Sequence, residues 1–382
     1  VKTARLLLQQ NVQDRVLRAA AVMLRVEDAD LDRDEYLLAC SNGTVDLRTG
    51  DLKPADPADR ITLCTGHPFE VSAASPAWDA FIADALGDAA TMDRFQRFIG
   101  YSATGDVREE KMLLALGPSG TGKSTALKAI MHALGGEVAL TSYCTAAASA
   151  LLSDTGKRRS PSEHTGGLTP LVGKRLAAVN EIKRGEAWDD SVFKQLVSRE
   201  PMQMREVGGA RAFSVVPTWK VWVRGNHQPN IRDVTDAFFR RVAVLEFKRK
   251  PVRADHGLDD RLRKEAPGIL AWIVRGALSW QKQGLALPPA MQAALDSYRS
   301  EQDLFGEWLA TRTEPGGFTP GDALRHDYAE FAGLTRHPPT EKAFAAMMRE
   351  RGNEPKKYRG KRGFSLVFKR ELDELFDPAS VA

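Results

Sequence analysis

Residues Gly117-Pro118-Ser119-Gly120-Thr121-Gly122-Lys123-Ser124 fit the pattern G-x-x-x-x-G-K-[ST] in full. Each residue type answers a need of polyphosphate binding. Glycines let successive backbone N–H groups curl around a β-phosphate, and the helix that follows turns its positive end to the same charge. The Lys123 ammonium reaches β- and γ-oxygens, and the Ser124 hydroxyl is of the kind that ligates Mg²⁺. The pattern predicts a nucleoside-triphosphate cradle over Gly117–Thr125. The plain alternative is a glycine-rich strand-to-helix turn without ligand.

Further along, Arg175–Glu181 places an acid at the C-terminal end of an apolar run, where open α/β sheets bind ligands. Glu181 is expected to polarise the water that attacks a γ-phosphate, or merely to cap the next turn. Asn180 stands where an Asp would support Mg²⁺ better. Asn226, at the tip of Val221-Trp-Val-Arg-Gly, has an amide suited to a γ-phosphate or lytic water; alone it would read as a turn residue. Arg240 and Arg241 open another apolar run, on a stem too short to reach their own γ-phosphate. Such an arginine suits a neighbour's site, as a finger on transition-state charge. One of the two is expected to pair with Asp233 or Asp236. The steps from Lys123 to Glu181, Asn226 and Arg241 are 58, 45 and 15 residues.

Basic residues suggest where an anionic polymer would touch. Met204–Phe213 carries Gly208-Gly209 between short β-like pieces and reads as a hairpin, with Arg205 and Arg211 as phosphate contacts and Lys194 and Lys220 as weaker ones; surface pairing is the alternative for each. The loop Gly156–Ser160 is also basic. Between Arg351 and Arg370 there are eight Lys/Arg and one Glu, on a chain whose net charge is only +4. Lys356, Lys357, Arg359, Lys361 and Arg362 form the centre of that segment and are read as DNA contacts, a solvated loop being the alternative. The histidines are scattered without metal spacing, and His227 reads as shaping the turn before Pro229.

The elements that position these groups follow from periodicity. Lys111–Leu116 is a short apolar run of buried-strand type. Ala126, Leu127, Ile130, Met131 and Leu134 then recur at helical spacing up to Gly135-Gly136. Arg175–Asn180, Trp219–Arg224 and Val242–Phe247 are further strands, so residues 96–250 read as an α/β domain on a mostly parallel sheet. Residues 1–95 read as a mostly helical domain with short strands, the turn at Arg48–Asp51 joining two of them. Residues 251–300 read as a helical linker or lid broken at Pro288-Pro289. The last stretch, 301–382, reads as three helices, the second opening at a Thr319 cap, followed by a basic β-wing: the plan of a winged helix.

Composition fits a soluble multidomain chain: 382 residues, 43% hydrophobic and 27% charged. No apolar run approaches the 18 or so residues of a membrane span, so no membrane partner is expected. Val1-Lys2-Thr3 opens no apolar leader stretch, so a secretory signal is not expected. Three cysteines, Cys40, Cys64 and Cys144, lack disulfide or zinc spacing and fit a reducing compartment.

In order and spacing these motifs resemble superfamily 3 helicases, and more closely the helicase part of phage and plasmid primase-helicases shared with the poxvirus primase-helicase ATPase. The resemblance runs through Leu38…Ser41–Gly50, Gly100–Gly105, the cradle, Leu171–Leu176, Thr218–Trp222 with Asn226, Arg240–Phe247 and Pro267–Trp272. It implies an AAA+-like ATPase using ATP and Mg²⁺, the metal at Ser124 and Glu181, with Asn226 as sensor and Arg241 as the better finger. It further implies a hexameric ring on single-stranded or forked DNA, a primase or polymerase as a further partner, and the cytoplasm of a bacterial host. Val197-Ser-Arg-Glu-Pro201 departs from the family's Thr-Gly-Gly-Asp-like turn. The rival expectation is an ATP-switched replication initiator or loader that does not unwind. A nucleotide kinase or GTPase would have no use for Asn226 and Arg241.

Overall fold

The computed structural model describes residues 10–23, 26, 30–136, 141–147, 152, 168–179, 187–188, 190–205, 212–231, 236–251, 253, 255–335 and 338–369. They fall into two compact units, 1–296 and 297–382.

In the first unit, helix α1 (Gln10–Met23) buries none of its side chains. Strands β1 (Leu37–Cys40), β2 (Gly43–Asp46) and β3 (Asp51–Lys53) form an antiparallel meander whose turns fall at Ser41-Asn42 and Leu47–Gly50. Helix α2 (Pro76–Leu86) ends on Gly87, and α3 (Ala89–Ala103) begins under a cap in which the Asp88 carboxylate accepts from Thr91 N at 2.8 Å. Strand β4 (Met112–Leu116) is buried at every position. Helix α4 (Lys123–Ala133) follows the cradle, and β5 (Cys144–Ala147) and β6 (Leu176–Val179) come next. After them lie β7 (Ala187–Trp188), α5 (Asp190–Leu196) and the antiparallel pair β8 (Met202–Arg205) and β9 (Ala212–Val215), in which Met204 faces Phe213. Strand β10 (Lys220–Gly225) is followed by β11 (Asn230–Ile231), which pairs with β7, then α6 (Asp236–Arg241) and β12 (Val242–Glu246). Helices α7 (Leu258–Lys264) and α8 (Ala266–Gln283) follow, and α9 (Pro289–Gln302), started at Pro288-Pro289, runs past the end of the unit at Asp296.

The central sheet is parallel throughout, in the order β12-β4-β10-β6-β5. An all-parallel sheet needs cover on both faces, which is why β4, β6 and β12 read as unbroken apolar runs. On the core side, α8 lies along α3, and their backbones nearly touch. A Cβ placed on Gly100 would come 2.0 Å from Ala277 N, and one on Gly276 would come 2.2 Å from Gln96 O. Trp272 packs edge-on against Trp78, and Phe95 edge-on against Trp222, linking helices α2, α3 and α8 to the sheet.

The expected boundaries near residues 95 and 250 do not divide this unit. One hydrophobic core runs from Leu38 to Met291. Two buried cations tie the meander and α3 to the sheet. Arg175 donates to Ala103 O at 2.7 Å and Leu37 O at 2.8 Å, while Lys220 donates to Thr104 O and, at 3.1 Å, to Asp106 O. Tyr143 adds a bond from Ala39 N at 2.8 Å. The described part of residues 1–95 is helical with short strands, and the turn expected at Arg48–Asp51 joins β2 to β3.

The second unit runs α10 (Leu304–Arg312), β13 (Thr313–Pro320), α11 (Gly321–Phe331), α12 (Glu341–Glu350), β14 (Lys356–Tyr358) and β15 (Lys361–Phe368). Its three strands form an antiparallel sheet in the order β13-β15-β14. Phe305, Trp308, Leu324, Tyr328, Phe344, Met348, Phe364 and Leu366 make its core. Strand β13 was not expected, and it corrects the cap: Thr319 lies in the strand, its hydroxyl donating to Leu366 O at 2.6 Å, and α11 starts with Pro320 at its cap position. Among the described residues no helix is long and apolar enough to cross a membrane.

Two outcomes follow from this packing. Gly100→Ala drives a methyl into the α8 backbone, an overpacking of about 1–3 kcal/mol, and lowers the thermal unfolding midpoint; an unchanged midpoint refutes the close contact. Burial pushes the Tyr36 and Tyr143 phenols up to about 12. Their unfolded counterparts ionise near pH 10, so the unfolded state loses these protons first. Stability is then whole below pH 10 and falls between about pH 10 and 12, as denaturant titrations stepped through that range read directly.

Candidate functional site

The cradle grows from the C-terminal end of β4. Gly117 takes a φ of +143°, and a Cβ there would lie 2.1 Å from the carbonyl oxygen of Phe247, just past the neighbouring strand β12. Gly122, at φ +93°, would set a Cβ 2.8 Å from the Phe81 ring. Only glycine meets both demands. Gly122 is also the residue before α4, and no side chain caps that helix, so its first N–H groups face the loop. Lys123 is 7% exposed, and its ammonium folds back to donate to Gly117 O at 2.5 Å and Pro118 O at 2.8 Å. The Thr121 hydroxyl donates to Pro118 O at 2.9 Å.

A cavity of about 980 Å³ opens over this loop. Ser119 to Thr125 form one side, with Arg224, Gly225 and Asn226 from the end of β10. Opposite, α2 contributes Ala77, Phe81 and Asp84, and the stretch beyond β12 contributes Arg249, Arg253, Leu258 and Arg261. Asp255, also in the wall, holds Arg261 in an ion pair. The space is ample for a nucleoside triphosphate, with backbone N–H groups and two cations at one end and an apolar wall of Ala77, Phe81 and Leu258 for a flat ring. At Gly117 and Gly122 a side chain would collide with Phe247 O and the Phe81 ring, so the tight loop shape that a polyphosphate would need depends on these glycines.

Arg224 was not foreseen. Its guanidinium hydrogen-bonds the Ser124 hydroxyl, the group the motif assigns to a metal. The available signal was a lone cation inside the apolar run Val221-Trp-Val-Arg, two residues before Asn226. Arg249 and Arg253, in the basic stretch after β12, were likewise missed.

The structure brings Asn226 to the same cavity as Lys123 and Ser124, because β10 lies beside β4 with Gly225 opposite Leu116. Asn180 and Glu181 lie outside the described residues, although β6, which leads to them, is the other neighbour of β10. Ser124 is thus the described member of the expected metal pair, and the described residues contain no group of three or more His, Cys, Asp or Glu placed to hold a metal.

Arg240 and Arg241 sit at the far end of the sheet. Val242, the residue after them, is opposite Met112 at the start of β4, whereas the cradle begins after Leu116. Arg241 donates to Glu110 at 3.0 Å and to Ala237 O at 3.1 Å. Of the partners expected for this pair, Asp233 and the side chain of Asp236 lie outside what is described. Arg240 has its side chain exposed, while its carbonyl accepts from Lys111. Burial and the neighbouring cations lower the Lys111 pKa.

Of the expected nucleic-acid contacts, Lys194 is half-buried on α5, Arg205 lies on β8, and Arg211 is outside the described residues. Lys220 is corrected: it is 2% exposed and donates to carbonyls, burial holding its pKa well below the usual lysine range. A cation so placed cannot touch a phosphate. Lys356, Lys357, Arg359, Lys361 and Arg362 are all exposed on the β14–β15 hairpin.

Comparison with known proteins bears on this site. Residues 2–87 match a family model described as D5 N terminal like, and residues 115–241, from the end of β4 to the arginine pair, match a family of unknown function, DUF5906. A protein of Acanthamoeba polyphaga mimivirus named "Putative helicase L207/L206" is 22% identical over 308 residues, covering 73% of this chain and 31% of its own length. The chain thus spans about a third of that relative. Two solved apo structures of the NrS-1 C-terminal region are 13% identical, with TM-scores of 0.44 and 0.43, each over 77% of this chain and 76% of the other. The chain is thus similar to a D5-like N-terminal family over its first segment and, over 308 residues, to a viral protein named as a helicase.

Proposed function

We propose that this chain is the ATP-driven motor of a hexameric, ring-forming superfamily 3 DNA helicase serving replication of a phage or mobile element. The observation that carries the reading is the strand order β12-β4-β10-β6-β5. It sets a strand ending in Asn226 between the cradle strand and the strand that leads to Glu181, and it leaves Arg240 at the opposite end of the sheet. That order supports the AAA+-like assignment, and a helix–strand–helix–helix–hairpin sequence in the second unit supports the winged-helix one.

ATP·Mg²⁺, when bound, supplies the scissile phosphoanhydride and a divalent counter-charge. Gly117–Thr125 hold the phosphates through backbone N–H groups. Lys123 exchanges the carbonyls of Gly117 and Pro118 for phosphate oxygens, which are stronger acceptors. Ser124 and Glu181 serve the metal, Glu181 also polarises the attacking water, and Asn226 orients it. Arg224, beside Ser124, adds a second positive charge from the same chain. A neighbouring copy completes the site with an arginine. Arg240 suits that role better than Arg241, whose guanidinium is engaged by Glu110. The β8–β9 hairpin with Arg205 and Arg211 would track phosphates in the channel, giving strong salt dependence.

Lys123→Ala is expected to abolish ATP turnover with an unchanged far-UV spectrum. Arg224→Ala is expected to weaken metal-free ATP binding about tenfold, the scale of one charge-assisted bond, as calorimetry reports; equal affinity removes Arg224 from the site.

Arg240→Ala is expected to lower turnover about 1000-fold, as lost fingers do, and mixing it with Lys123→Ala subunits restores part of the rate. Arg241→Ala instead costs about 1 kcal/mol of stability through its half-buried ion pair. No recovery at any mixing ratio counts against shared sites. Strand displacement on a forked substrate is the functional outcome; ATP-dependent DNA binding without displacement would favour a loader.

A further inference from the structure

The second unit carries an aromatic and basic surface on the side of its sheet away from its core. Phe364 and Leu366 of β15 point into the core, so Lys361, Gly363, Ser365 and Val367 occupy the other face. Residues directly opposite in an antiparallel pair share a face, and Tyr358 is opposite Lys361 while Lys356 is opposite Gly363. Lys356, Tyr358 and Lys361 therefore stand together on the outside. Phe318 joins them from β13: its ring lies 5.4 Å from the Tyr358 ring and crosses Gly363, where a Cβ would meet it at 2.7 Å. Glycine at 363 is what lets the Phe318 ring pass over β15 and brace Tyr358.

Tyr358 is 53% exposed although held from one side. Arg359, its neighbour in the turn, sets its guanidinium carbon 5.4 Å from the same ring. The turn itself has positive φ at both central residues, 46° at Arg359 and 83° at Gly360. That is the geometry for which Asn-Gly is the relaxed choice, so an arginine at 359 is kept at a steric cost. From Pro355 to Lys369 there are six Lys/Arg and no Asp or Glu. Helix α12, by contrast, offers Glu341, Lys342, Arg349 and Glu350, which cancel. α11 carries Asp322, Asp327 and Glu330 against Arg325 and one histidine.

We propose that this outer sheet face binds single-stranded DNA, with bases stacking on the Tyr358 ring that Phe318 braces, and phosphates held by Lys356, Arg359 and Lys361. A half-exposed aromatic ring on an open sheet among cations suits unpaired bases, which present a π-face that a duplex keeps stacked inside. A neutral helix α12 does not suit the phosphate-lined major groove. The inference deepens the helicase reading and rests on it for the identity of the polymer: it gives the motor a second grip on the strand, one that does not need nucleotide.

Fluorescence anisotropy of the full chain with a labelled oligo-dT and with a duplex of equal length, both without nucleotide, tests it. Single strand is expected to bind more tightly than duplex. Tyr358→Ala is expected to weaken single-strand binding about tenfold or more, the scale of one stacked base. Tyr358→Phe should bind as the unmodified chain does, and so should Lys342→Gln on α12. Photocrosslinking of the unmodified chain to iodouracil-substituted single strand should yield an adduct at Tyr358 or Phe318, a readout independent of how any variant folds. Unchanged binding by Tyr358→Ala, an adduct confined to the first unit, or preferred duplex binding lost in Lys342→Gln each overturns the proposal. DNA-stimulated ATP turnover separates the two readings. If turnover responds to DNA while Tyr358→Ala binds normally, only the sheet-face proposal falls; if Tyr358 binds single strand but turnover ignores DNA, the helicase reading falls instead.

Discussion

Strand β4 has a parallel partner on each side, and that arrangement decides what its two ends can do. At the C-terminal end, three strands deliver their termini together: Leu116 runs into the cradle, Gly225 into Asn226, and Glu246 into the Phe247 carbonyl that forbids a side chain at 117. At the N-terminal end, Glu110 and Lys111 hold Arg241 and the carbonyl of Arg240. Five residues of strand separate the ends by about 17 Å at 3.3–3.4 Å per residue. A chain built this way cannot bring its own arginine pair to its own cradle, so an active site that needs one must take it from another copy.

Two pairs of cations differ in the acceptors they meet. Arg175 and Lys220 donate to main-chain carbonyls, joining the meander and α3 to the sheet. Lys123 and Arg224 are paired with groups that the cradle itself presents, the carbonyls of Gly117 and Pro118 and the hydroxyl of Ser124. A charge taken from water must keep hydrogen-bond partners, and both pairs satisfy that. Only the second pair faces a cavity large enough to admit a better acceptor, which makes its present partners exchangeable.

Local chemistry was legible in the sequence wherever one stretch contained all of it. The β4–cradle–α4 unit, the β8–β9 hairpin and the apolar strands β6, β10 and β12 read directly from spacing. Strand β13 did not, because Thr313–Pro320 contains two glycines and two prolines, a composition that marks turns; it becomes a strand by pairing with β15. The unity of residues 1–296 was hidden for a related reason: the ties that make it are Arg175 and Lys220, and a lysine in sequence reads as surface until its acceptors are known. Arg224 looked like an interruption of an apolar run. Its partner Ser124 lies 100 residues away, and no periodicity connects them.

Adjacent arginines illustrate the limit most sharply. Arg240 and Arg241 are chemically identical, and their order relative to β12 favoured Arg241. Both, however, lie in the last turn of α6, where neighbouring residues diverge by about 100° around the helix axis, one residue of a 3.6-residue turn. Two such side chains cannot point the same way. If one meets Glu110 across the mouth of the sheet, its neighbour is carried outward, and the exposure of Arg240 follows from the engagement of Arg241. The choice between them is therefore made by a glutamate 131 positions earlier in the chain. That same glutamate lies two residues before β4, so the strand that leads into the cradle also fixes, at its other end, which arginine is engaged.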